Sequence, residues 1–178
     1  MRKNPKITTL ILMEHPKSVA GILFSPDRAA VLLIQRRDVP VWVLPGGGID
    51  PGELPPDAIV REILEETGFT VKAQRLVGDY IPINRLAKRT HLYECAIVSG
   101  EAQLSPETRG IRFFSLATLP PLPPPYREWI DDAVQQKPPI QRELISVNYF
   151  TLLKHLILHP ILVIRFILAR LGWTINST

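Results

Sequence analysis

The chain has 178 residues, 46% of them hydrophobic and 21% charged, with a formal charge of +4. That length suits one domain with its own core, and the composition excludes a disordered chain. A single cysteine excludes an intramolecular disulfide framework, and the small positive excess fits an anionic substrate, nucleic acid, a membrane or a plain solvated surface equally well.

Arg2, Lys3 and Lys6 precede an apolar run over 7–13, which then meets Glu14, His15, Pro16 and Lys17. No small-residue cleavage site follows, so residues 1–17 predict an opening arm or strand of a cytoplasmic protein rather than a signal peptide. The apolar runs 18–24 and 29–35, joined by Ser25-Pro26-Asp27-Arg28, predict a hairpin. Trp42-Val43-Leu44 leads into Pro45-Gly46-Gly47-Gly48. Three consecutive glycines predict a loop where backbone bends or approaches something closely.

A helix is expected over 55–67. Pro55 and Pro56 fit its first turn, Gly68 fits the left-handed position after its end, and Phe69 folds back on it. Strands follow near 71–77, 91–98 and 111–114. Cys95 lies in the second of these, where a small buried hydrophobe is expected rather than a nucleophile. Residues 120–125 form a proline-rich connector, and a second helix runs over 126–136. Strands interleaved with two helices predict an α/β (α+β) domain over 18–138, a mixed sheet with helices packed on it.

The first helix carries the chemistry. At about 100° per residue, Glu66 lies about 40° from Glu62 and Glu65 about 60° to the other side, so three carboxylates share one face. Ile59, Val60, Ile63 and Leu64 supply an apolar side for the sheet. A solvated acidic face is the commoner explanation of such a cluster. Two features oppose it: Glu62 and Glu66 repel at i,i+4, and Glu65 and Glu66 meet the negative end of the helix dipole. A bound cation relieves both. Carboxylate oxygens without a nearby Cys or His pair suit Mg²⁺ or Mn²⁺.

Gly47, five residues, Glu53, seven residues, then Arg61-Glu62-Ile63-Leu64-Glu65-Glu66-Thr67-Gly68-Phe69 resembles the Nudix box at every specified position. The wider resemblance covers about 18–136, including Arg112-Phe113-Phe114-Ser115-Leu116. It implies a Nudix fold, with the box as loop–helix–loop, and a metal-dependent pyrophosphohydrolase of a nucleotide-derived small molecule. By position, Glu62, Glu65 and Glu66 resemble the metal-handling carboxylates, with Glu66 a direct ligand. Glu62 also resembles the base of several members, oriented by Arg61. Glu53 resembles a further ligand or a brace for that arginine, and the Gly46 carbonyl a backbone ligand. Glu107 resembles a glutamate that many members recruit from a later loop as ligand or base, with Glu101 as the substitute. An inactive nucleotide-binding module is the alternative, and such modules usually carry broken boxes.

Substrate choice is weakly marked. Arg36 and Arg37 can reach phosphates or face solvent. Trp42 can stack on a base, though a core plug is the simpler expectation. Pro82 is reminiscent of a proline in ADP-ribose members, and a loop proline explains it as well. The coenzyme A pattern is not visible, and Tyr80 and Tyr93 are not at the spacing of dinucleoside-polyphosphate members. ADP-ribose, a nucleotide sugar or a (d)NTP is expected, with no specific nucleic-acid partner. Residues 139–178 predict a hydrophobic, basic helical extension. Within 151–173 the longest stretch free of formal charge, 155–164, has ten residues, short of the roughly 20 that a spanning helix needs. Packing on the domain or in a homodimer is expected first. A peripheral membrane contact through 151–173 comes second.

Overall fold

A computed structural model describes residues 16–158, 161 and 164. The arm expected over 1–15 and most of the tail lie outside the described residues. In chain order the elements are β1 (Ser18–Ile22), β2 (Ala30–Arg36), β3 (Trp42–Val43), β4 (Gly46–Gly48), α1 (Pro55–Thr67), β5 (Phe69–Pro82), β6 (Thr90–Gly100), β7 (Thr108–Ser115), α2 (Tyr126–Val134), β8 (Ile140–Leu144) and α3 (Tyr149–Leu158). A mixed five-stranded sheet runs β4-β1-β6-β5-β8, parallel at β1/β6 and β5/β8. A three-stranded antiparallel sheet runs β3-β2-β7.

The unbroken apolar runs in β1 and β2 have a physical cause: both faces of these strands are buried. Ala20, Ile22, Val31 and Leu33 enter one core with Tyr80, Leu92, Trp129 and Ile130. Val19, Leu23 and Leu32 enter a second with Ala58, Ile59 and Ile63. Thus α2 covers one core and α1 the other, and the sheets lie between helices as expected.

The hairpin over 18–35 is only a corner. Phe24 bridges Val31, and the Leu32 N–H reaches the Leu23 carbonyl at 2.9 Å, but β1 and β2 then enter different sheets. Adjacent Ile22 and Leu23 point into different cores, which lets the chain cross between the sheets. The glycines form strand rather than loop: Gly47 pairs with Val19 and Gly46 with Ala20 on β1. At Gly46 a side chain is impossible, since φ is 149° and a Cβ would lie 2.7 Å from the Ala20 Cα. Register shifts divide β5 between Thr70/Val71, Ala73/Arg75 and Leu76/Gly78, so its alternation is broken and only its middle was expected.

Residues 140–144, expected in the helical extension, form an edge strand instead. β8 lies parallel to β5 and puts Leu144, 1% exposed, into the first core. Its pattern of one half-buried residue, three exposed and one buried shows neither a helical nor a strand period. α3 begins at Tyr149. Among the described residues no helix is long and apolar enough to cross a membrane.

Candidate active site

α1 starts from Leu54 with prolines at its first two positions and ends where Gly68, at φ 76°, donates its N–H to the Leu64 carbonyl. Ala58, Ile59 and Ile63 are fully buried against the second core. That anchoring fixes the rotation of the helix, and with it the direction of Glu62 and Glu66, which meet β4.

β4 and α1 are interlocked. The Gly46 N–H donates to Glu66 Oε2 at 2.8 Å. A Cβ on Gly47 would lie 2.5 Å from the carboxylate carbon of Glu62, so only glycine lets the strand pass this close. The Val19–Gly47 pairing directs the N–H and carbonyl of Gly46 away from β1. The Gly46 carbonyl therefore faces the same side as the Glu66 carboxylate.

Glu66 is 7% exposed and forms no ion pair among the described residues. Burial pushes its carboxyl up to about 8, assisted by the nearby charges of Glu62 and Glu107 and opposed by the Gly46 N–H and by Arg36. Burial also raises Glu62, which Arg61 opposes and Glu65 and Glu107 reinforce. Two shielded carboxylates thus share a small volume, with a third, on the exposed turn before β7, in electrostatic reach.

Arg61 is the hub on the solvent side. Its Nε and Nη2 grip Glu53 at 2.9 and 2.8 Å, its Nη1 donates to Glu62 Oε1 at 3.0 Å and Glu65 Oε2 at 3.3 Å, and Nη2 also reaches the Gly48 carbonyl. Glu53 is held down to about 2, chiefly by this grip. Glu53 is therefore the two-point partner of Arg61, and the Glu65 side chain is 57% exposed.

The remaining expected residues are dispersed. Arg36 pairs with Asp38 through Nε at 2.9 Å and Nη2 at 2.5 Å, while its charge also reaches Glu66 and Tyr126. Arg37 donates to backbone carbonyls of the turn before β7. Glu101 follows β6, with its carbonyl beside Gly68. Trp42 packs edge-on against Phe114 at 4.7 Å, an aromatic plug. Cys95 is buried and its thiol is pushed up to about 12 by burial.

A cleft of about 220 Å³ opens beside β4, lined among others by Lys88, Thr90, Tyr126 and Trp129. Sequence reasoning missed these four. Tyr126 and Trp129 fall in the helix expected over 126–136 and carry no further signal, and Lys88 precedes a strand with no motif around it. The Trp129 Nε1 is buried and has no hydrogen-bond partner among the described residues.

Among the described residues no three acidic, imidazole or thiol side chains already converge as a cage. The donors nevertheless suit a hard divalent cation: two shielded carboxylates in mutual repulsion and a backbone carbonyl on the Glu66 side of β4. Cation binding would stabilise the ionised form that burial disfavours.

The NUDIX domain family model matches residues 14–136. The chain is 40% identical over 102 residues to a Bacillus subtilis (strain 168) protein named "Putative 8-oxo-dGTP diphosphatase", covering 57% of this chain and 68% of that one. It is 33% identical over 131 residues to an ADP-ribose pyrophosphatase of Methanocaldococcus jannaschii, covering 69% and 76%. The crystal structure of an ADP-ribose pyrophosphatase from Streptococcus suis 89-1591 superimposes with a TM-score of 0.58 at 29% identity, over 72% of this chain and 99% of that one. The chain belongs to the Nudix family. It is a hydrolase of pyrophosphate bonds.

Proposed function

We propose that the protein hydrolyses the pyrophosphate bond of a nucleoside diphosphate joined to a further group, with Mg²⁺ (or Mn²⁺) held by Glu66, Glu62 and the Gly46 carbonyl. The observation that carries this reading is Glu66: a buried carboxylate without an ion pair among the described residues, beside a second carboxylate and a backbone carbonyl. A divalent cation there supplies neutralisation of charge on the phosphate oxygens and acidifies a water molecule. Glu62 accepts the proton of the attacking water, and the Arg61 Nη1 fixes its carboxylate for that step. Glu53 keeps Arg61 in place. Arg36, whose charge already reaches Glu66, contacts the phosphates on the β2 side. The names of the relatives support ADP-ribose or a (d)NTP as substrate, with a nucleotide sugar as the chemically related third class, seated in the cleft beside β4.

The test is phosphate release by purified protein with Mg²⁺ across ADP-ribose, nucleotide sugars and dNTPs including oxidised forms, with Glu66→Gln as control. Hydrolysis of at least one compound is expected, reduced by at least about 100-fold in the variant. Silence across the whole panel would favour a binding module. Full activity in Glu66→Gln would remove the metal assignment.

A further inference from the structure

We propose that Arg37 is a positioning residue that clamps the 105–108 turn and thereby holds Glu107 toward Glu62 and Glu66. This rests on the reading of those two carboxylates as the reacting centre. Glu107 is exposed on the turn before β7, where its charge reaches both of them. Repulsion from two like charges disfavours that placement, and a fixed backbone limits how far Glu107 can move away.

The restraint is visible. Ser105 Oγ accepts the N–H groups of Glu107 and Thr108 at 3.2 and 3.0 Å, which closes the turn from within. Arg37 closes it from outside. Its backbone N–H donates to the Glu107 carbonyl at 2.8 Å. Its guanidinium donates through Nε to the Pro106 carbonyl at 3.1 Å, and through Nη2 to the Ser105 and Thr108 carbonyls at 3.3 and 3.2 Å. All four residues of the turn therefore give a carbonyl to one arginine. The guanidinium fork takes three of the four, a set that a lysine ammonium does not reproduce. A register shift between Gln35 and Arg36 at the end of β2 lets successive arginines serve different neighbours, Arg36 with Asp38 and Arg37 with the turn.

The test compares the full chain with Arg37→Ala, Arg37→Lys, Ser105→Ala and Glu107→Gln. It uses amide hydrogen exchange without metal, Mn²⁺ titration followed by electron paramagnetic resonance, and steady-state kinetics. In Arg37→Ala, exchange at Glu107 and Thr108 should quicken by about tenfold or more while α1 keeps its protection. Mn²⁺ affinity should fall about 10–100-fold, as in Glu107→Gln, and kcat should fall similarly at nearly constant KM. The Arg37→Ala/Glu107→Gln double variant should be no worse than Glu107→Gln, and Arg37→Lys should not rescue. Ser105→Ala, which leaves β2 untouched, should show the same pattern in milder form and serves if Arg37→Ala does not fold. Wild-type Mn²⁺ affinity in Arg37→Ala or in Glu107→Gln, or additive losses in the double variant, would overturn the clamp. If no compound is hydrolysed, the proposed function fails, and the exchange and Mn²⁺ measurements still decide the clamp.

Discussion

Glu66 links the pH dependence of folding to metal binding. Its carboxyl sits at about 8 in the folded chain against an ordinary value of 4.5. Between those values the folded state holds a proton that the unfolded state has released. Stability of the metal-free protein therefore falls as pH rises from about 4.5 to about 8, by an amount on the order of a few kcal/mol. Thermal melts in chelator should show this slope, and Glu66→Gln should flatten it. Mg²⁺ binds the ionised form, so its stabilising shift in Tm should be larger at pH 8 than at pH 5.5; equal shifts would count against Glu66 as ligand. Gly47 makes a second prediction. Gly47→Ala places a Cβ against the Glu62 carboxylate, so kcat should drop by about 10-fold or more, a misplaced group rather than a lost one. The melting temperature should move little, because that carboxylate can turn toward solvent.

α1 anchors the site through its apolar side, since Ile59 and Ile63 are fully buried while Glu62 and Glu66 project from the same turns. Ile63→Ala should cost about 2–5 kcal/mol by urea unfolding, and the surviving folded fraction should bind Mn²⁺ more weakly because the helix can re-seat. This element was legible in the sequence almost to the residue, because its start, period and stop are all local: two prolines, the apolar spacing, and Gly68. The acidic face was legible too, as a pattern that disfavours a helix unless a cation binds. What escaped was set by tertiary pairing. The glycine strand reads as loop because the propensity of Gly46 and Gly47 opposes strand, and only the closeness of β1 and Glu62 explains them. β5 hides behind its bulges, and the cleft-lining Lys88 and Trp129 come from elements far apart in the chain. Arg37 carries no local sign of what its guanidinium grips.

At the scale of the whole molecule, the question is where the folded unit ends. β8 belongs to it: Leu144 fills the first core, Arg142 pairs with Asp132 at 2.9 Å, and Asp132 in turn accepts the buried Tyr80 hydroxyl at 2.9 Å. The Asn84 side chain also donates to the Val147 carbonyl at 2.7 Å. From Tyr149 onward the character changes. Tyr149, Phe150, Leu153 and Ile157 are each at least 50% exposed, so at these positions α3 is not packed on the domain, and Ile161 and Ile164 beyond it are as exposed. Two truncations separate these regions. Ending the chain after Asn148 removes no described residue of either core, so Tm should stay within a few degrees and hydrolysis should persist. Ending it after Pro139 deletes Leu144 and leaves Asp132 without its arginine. Loss of a buried leucine alone costs about 2–5 kcal/mol, and an unpaired buried carboxylate adds to that. Against a typical stability of about 5–15 kcal/mol, the shorter chain should be largely unfolded or insoluble at 37 °C. Comparable melts for the two truncations would show that β8 contributes little, and would move the boundary of the folded unit back to the end of α2.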